Sequence, residues 1–256
     1  MRSIDSIGGE VPPAVGAAPG KPLAAMPQGD RLEVLRARMA AIPSRVGASS
    51  RAEVHGQDVL AVPGGLGQLL PGGGLVKGSV VVCSGSSLVN GLLAAVTGAG
   101  KFAAVIGCHQ LGLLSAAEMG ADLSRLAHIP QPGQDRLAVL AVLLDGLELV
   151  VLDLAGETVA PSRARALDAR VRSHRSVLVV TRGDWAGCDL RLESKPTAYG
   201  GLGRGHGRLQ SVHLDVRVSG KGLQPRTGRL TLAGSGPNQT AWTLEAPKAG
   251  SRIRTG

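Results

Sequence analysis

The stretch VVCSGSSLVNGLLAAV, Val81–Val96, runs from a hydrophobic strand through a tight turn of small residues into an apolar run at helical spacing. Strand, small-residue turn and helix in that order are the layout of a phosphate-binding loop. Such a loop works through four parts: glycines that allow close backbone approach, successive N–H groups at a helix N-terminus, a Lys that neutralises phosphate charge, and a Ser or Thr that binds Mg²⁺. Here the turn and helix start remain, with Ser86 and Ser87, but Leu88, Val89 and Asn90 stand where Gly, Lys and Thr are needed. Val89 in place of Lys removes the charge-assisted bonds to a triphosphate, a loss of several kcal/mol at ~1.5–3 kcal/mol per bond.

Outward from this stretch, strands alternate with helices. The apolar run Leu88 to Val96 reads as a helix, KFAAVI (101–106) as a second strand, Leu113 to Met119 as a short helix and DRLAVLAVLLDG (135–146) as a third helix. LELVVLDL (147–154) is a fully apolar strand carrying Asp153, SRARALDARVRSHR (162–175) a polar-faced helix, and SVLVVT (176–181) the next strand. Apolar runs joined by helices imply a largely parallel sheet covered on both faces. Only 2% of the residues are aromatic, so Val, Leu and Ala must build that core. Beyond Cys188 the pattern changes. CDLRLES, RLQSVHLDVRVSG and GRLTLAG alternate apolar with polar residues, the mark of half-buried antiparallel strands added at one edge of the sheet.

The chain divides into residues 1–28, rich in Gly, Pro and Ala and expected to be disordered, a helix and linker over 29–55, a core over 56–232, and a C-terminal extension and basic tail over 233–256. The helix places Leu32, Leu35, Met39 and Ile42 on one stripe, which docks either on its own domain or on a partner. The net charge of +9 is concentrated at one end. From Lys195 onward ten basic residues face two acidic ones, which points to an acidic partner, nucleic acid or protein. Three cysteines without a C-x-x-C spacing fit a reducing compartment, and neither a signal-peptide segment nor a long apolar span is evident, so a cytoplasmic protein away from membranes is expected.

In the order of these phrases the chain resembles the RecA-type ATPase core over roughly residues 56–232. LPGGGLVKGSVVVCSGSS is similar to the lead-in that feeds the RecA phosphate loop. KFAAVIGCHQ sits where RecA has its second strand and catalytic glutamate, which puts His109 or a neighbour at that position. LGLLSAAEMGADLSRL parallels an alanine-rich helix followed by a strand, and VVLDL parallels the strand ending in the Mg²⁺-side aspartate, here Asp153. Within that superfamily it most resembles the actinobacterial ImuA-prime proteins, through TRGDWAG and GRLQSVHLDVRVSGKG as well. The resemblance implies a RecA-like α/β fold and a nucleoid-associated accessory role in DNA-damage-induced (SOS), error-prone translesion synthesis. Its partners would be ImuB, an inactive relative of the Y-family polymerases, and through it an error-prone replicative-type polymerase and sliding clamp. DNA and RecA itself are further candidate partners. Without the loop's Gly, Lys and Thr no ATPase activity and no cofactor are expected, and no metal cluster is evident in the sequence.

Two non-enzymatic roles stay open at this level. One is an adaptor for ImuB. The other is a DNA contact in which Arg204, Arg208, Arg217, Lys221, Arg226 and Arg229 meet phosphates while Trp185 or Tyr199 stacks on a base. A DNA-binding regulator of RecA or of the SOS response, again without ATPase activity, is the alternative function.

Overall fold

A computed structural model describes residues 58–203 and 206–245. The expected disordered segment 1–28, the helix carrying Leu32, Leu35, Met39 and Ile42, Arg204 and the basic tail lie outside the described residues.

A two-stranded ribbon comes first, β1 (Val59–Leu60) antiparallel to β2 (Leu75–Val76), with the short helix α1 (Gly64–Gly67) between them. The main unit follows as β3 (Val80–Ser84), α2 (Ser86–Gly98), β4 (Ala103–Ile106), α3 (Leu113–Glu118), β5 (Leu126–Ile129), α4 (Arg136–Leu143), β6 (Leu149–Asp153), α5 (Pro161–His174) and β7 (Val177–Thr181). Four longer strands close it: β8 (Leu190–Gly203), β9 (His206–Gly220), β10 (Leu223–Gly236) and β11 (Gln239–Leu244). All of β3–β11 form one nine-stranded sheet in the order β11-β10-β9-β8-β3-β7-β6-β4-β5. The strands from β8 through β5 pair in parallel, and β8 to β11 are antiparallel neighbours.

The two sequence patterns follow from what covers each part of the sheet. In β3, β6 and β7 successive residues go to opposite faces and both are buried. Val81, Val151 and Val179 join one core cluster with Leu88, Leu92, Leu93 and Val96 of α2. Val82, Val150 and Val180 join another with Leu140 of α4 and Leu167 and Val171 of α5. Full burial of each α2 leucine contributes about 2 kcal/mol. In β8–β10 only one face meets apolar side chains. Leu192, Leu214, Val216, Val218, Leu230 and Leu232 extend the first cluster, while their alternating neighbours meet solvent.

Two features depart from the sequence reading. The sheet does not end near residue 232: β10 continues to Gly236 and β11 adds a ninth strand. The turn at Pro237–Asn238, with Asn238 at φ 52°, is followed by the alternation Gln-Thr-Ala-Trp-Thr-Leu. That alternation packs Trp242 and Leu244 against the core. Trp242 lies over Gly91 of α2 so closely that a Cβ there would stand 2.4 Å from the indole. The second departure is at α2, which begins at Ser86 rather than Leu88, so one residue, Gly85, separates it from β3.

Candidate functional site

The C-terminal ends of β3, β4, β6 and β7 converge on a cavity of about 340 Å³. Its walls include Ser84, Gly85 and Ser86 at the strand-to-helix junction, Val89 of α2, Cys108 beyond β4, Asp153 of β6, and Thr181 and Arg182 of β7 and its exit. The crevice beyond the carboxyl ends of parallel strands is where ligands of such sheets bind.

The junction is narrow for a definite reason. Gly85 has φ 108°, and a Cβ on it would stand 2.0 Å from the Ser194 hydroxyl oxygen of β8. Ser194 in turn donates to the Ser84 carbonyl at 3.2 Å. Only glycine fits there. A phosphate cradle needs several consecutive residues outside strand and helix so that their N–H groups can curve around the anion. Here a single residue makes the connection. The first N–H groups of α2 have no side-chain cap.

The three replacement residues separate. Leu88 is fully buried in the core and Val89 is buried at the cavity wall. Asn90 is buried too and turns its amide N–H toward the Gly112 carbonyl at 3.4 Å, leaving its Oδ1 without a hydrogen-bond partner among the described residues. Ser86 lines the cavity, whereas Ser87 lies at a separate cleft between α3 and the β9–β11 strands.

Asp153 is 1% exposed and already engaged. Its Oδ1 accepts from the Ala155 N–H at 2.8 Å, and the Arg182 Nε donates to both carboxylate oxygens at 2.9 and 2.7 Å. Arg182 Nη2 stands 2.6 Å from Oδ2. The hydrogen bond to Asp153 and its charge hold the Arg182 guanidinium above its ordinary pKa. A cation approaching Asp153 would have to displace that guanidinium. Arg136 adds a hydrogen bond from Nη1 to the Asp153 carbonyl at 3.0 Å. Burial pushes the Cys83 thiol up to about 12. Burial, with the Asp153 charge second, also raises Cys108. Both thiols at the cavity therefore stay protonated near neutrality. His109 is exposed, and Cys108, Gln110 and Leu111 are the residues that reach the cavity from beyond β4. Arg182 was not singled out from sequence. The register that sets Thr181 opposite Asp153 is what delivers it, and only the paired strands reveal that register. Among the described residues no group of three His, Cys, Asp or Glu could hold a metal ion, and no helix is long and apolar enough to cross a membrane.

Among the described residues, several of the candidate nucleic-acid contacts are already engaged. Arg229 is paired with Asp215, Nε to Oδ1 at 2.7 Å. Arg226 Nη1 donates to the Leu69 carbonyl at 3.4 Å. Lys221 donates to the Gly187 carbonyl at 2.5 Å and stands 3.7 Å from Asp189. Arg208 and Arg217 are exposed without an ion pair among the described residues, and Tyr199 is 57% exposed on the β8–β9 hairpin. Trp185 is a correction: it is 1% exposed in the second core cluster, with its Nε1 donating to Asp168 of α5 at 2.8 Å. Such a ring cannot stack on a base.

Fold and site thus define an α/β domain with a mixed, mostly parallel sheet, flanking helices, and a strand–glycine–helix junction beside an arginine-bound carboxylate. A family model for the MT3502 N-terminal domain matches residues 68–187. An uncharacterized Mycobacterium tuberculosis protein, Rv3395c, is 42% identical over 203 residues, covering 75% of this chain and 93% of the mycobacterial one. The chain belongs to that family.

Proposed function

We propose that this chain is a RecA-like, non-catalytic accessory protein of the DNA-damage-induced mutasome, which supports error-prone translesion synthesis by docking ImuB. The observation that carries the non-catalytic half is the one-residue connection at Gly85, together with the Asp153–Arg182 pair. A junction without a phosphate cradle and a carboxylate held by arginine support a role that lies on the surface rather than in nucleotide chemistry. The mutasome half draws on the resemblance of TRGDWAG and the strands after it to ImuA-prime proteins.

Two measurements test it separately. Calorimetry with ATP and Mg²⁺ should give no binding heat up to millimolar nucleotide, and tight binding or hydrolysis would refute the non-catalytic half. Co-purification with ImuB should succeed with the full chain. Deleting residues 1–45 or 246–256 then locates the docking element, and failure of the full chain to capture ImuB refutes the mutasome half. The second cut is placed at 246 because removal from 233 would sever β10 and remove β11.

A further inference from the structure

Helix α5, PSRARALDARVRSH, carries four arginines and one acid, Asp168. Its buried face is Ala164, Leu167, Asp168 and Val171. Outside, Arg163 is paired with Asp135, Arg170 with Asp145 and, at the C-terminal cap, Arg175 with Asp58. Arg165 and Arg172 are exposed and have no such partner among the described residues. They share a stripe with Ala169, being seven residues apart.

Between them opens a pocket of about 300 Å³. Arg165, Arg172 and Lys221 line it, with Pro161, Asp168, Ala186 and Gly187 as the remaining wall. Its parts are held in place. Trp185 fixes Asp168, which is only 8% exposed, and the Gly187 carbonyl accepts from the Lys221 ammonium at 2.5 Å. A Cβ on Gly78 would stand 3.4 Å from the Arg172 Cα, so the β2–β3 connection runs close beside this turn of the helix. Three cations thus line a space in which one carboxylate already accepts a hydrogen bond; Lys221 is partly offset by Asp189 at 3.7 Å, but Arg165 and Arg172 have no ion pair among the described residues, so the pocket favours an anion.

We propose that this pocket and the α5 stripe bind the sugar–phosphate backbone of nucleic acid. Seven helical residues span about 10 Å, three rises of ~3.4 Å along one strand, so Arg165 and Arg172 are spaced for a run of phosphates rather than a single one. Ala166, Ala169 and Ser173 beside them are small enough to let a backbone approach. No aromatic side chain lines the pocket, so contact is to phosphate and indifferent to base sequence. The surface stands on charge and geometry and is independent of the mutasome reading.

The test is fluorescence anisotropy of the full chain with a labelled oligonucleotide, single-stranded and as duplex, over a salt series. Three contacts give a duplex log–log salt slope of about −2.7, a loss of about 40-fold in affinity between ~50 and ~200 mM. R165E/R172E should weaken binding at least tenfold and flatten the slope by about 1.8, leaving the thermal melt unchanged. R165Q/R172Q reads the same flattening if the charge reversal unfolds the chain. R208E, on the β8–β9 hairpin, should retain wild-type affinity. Absence of binding at low salt, wild-type affinity in R165E/R172E, or loss of binding in R208E alone overturns the proposal. So does capture of a labelled polyglutamate peptide without capture of DNA, which would assign the pocket to an acidic protein.

Discussion

Replacing Trp185 by Phe tests how the β7–β8 connection is fastened to α5. The indole is buried, and its Nε1–H donates to Asp168 at 2.8 Å. Phe keeps the apolar contacts but removes the donor, which costs about 1.5–3 kcal/mol for a hydrogen bond to a charged group. The smaller ring leaves a void on the order of 40 Å³, adding about 1 kcal/mol at ~24 cal/mol per Å³. The expected loss is therefore about 2.5–4 kcal/mol, or a fall in Tm of roughly 5–15 °C for a domain of this size. Urea and thermal unfolding followed by far-UV circular dichroism measure it without relying on the removed fluorophore. Asp168→Asn keeps an oxygen acceptor for the indole and should cost less than about 1 kcal/mol. A W185F loss under ~1 kcal/mol, or a D168N loss as large as that of W185F, refutes the claim that this hydrogen bond is what fastens the two elements.

Gly91→Ala would set a methyl 2.4 Å from the Trp242 ring, forcing β11 outward at a cost of about 1–3 kcal/mol; unchanged stability would mean that β11 adapts freely. Cys83, buried and raised to about 12, should resist a thiol reagent in the native protein and react only on unfolding, as mass spectrometry of labelled peptides would report. The same shift makes stability fall with alkali. The unfolded thiol ionises above its ordinary 9.0 while the folded one stays protonated, so the contribution is complete below about 9 and is lost as pH rises toward about 12. Glu245 behaves oppositely. Hydrogen bonds from Thr231 and then His213 lower its pKa, so the hold on the end of β11 weakens as acid protonates it, which hydrogen exchange near Leu244 would detect.

The sheet was legible wherever burial alone sets the sequence. Val80–Ser84, Leu149–Asp153 and Val177–Thr181 are covered on both faces and read as continuous apolar runs, and the strands after Cys188 alternate because one face meets water. β11 was missed because its six residues follow a short turn and carry only Trp242 and Leu244 as large apolar groups. At the candidate site the replacements at Leu88–Asn90 were visible, but their consequences were not. A pattern of residue types cannot show that α2 starts two residues early, that Asn90 turns toward Gly112, or that Arg182 closes on Asp153. Net charge was equally silent on which cations are engaged. The basic excess of the last quarter pointed at the C-terminal strands, yet there Arg229 is paired and Arg226 is bound to a carbonyl, and among the described residues arginines without an ion pair lie on α5, at Arg165 and Arg172, as well as on β9, at Arg208 and Arg217.

The continuity of β8–β11 with β3 has a consequence for dissecting this molecule. The stretch matched by the family model stops at residue 187, before β8 begins, although Leu192, Leu214, Val218 and Leu230 belong to the same core as Val81 and Leu88. A fragment cut at that border would bare the edge of β3 where β8 now pairs and strip apolar cover from α2. The segment that the family model covers is thus smaller than the unit that folds, and expression of that segment alone should yield aggregate rather than a domain.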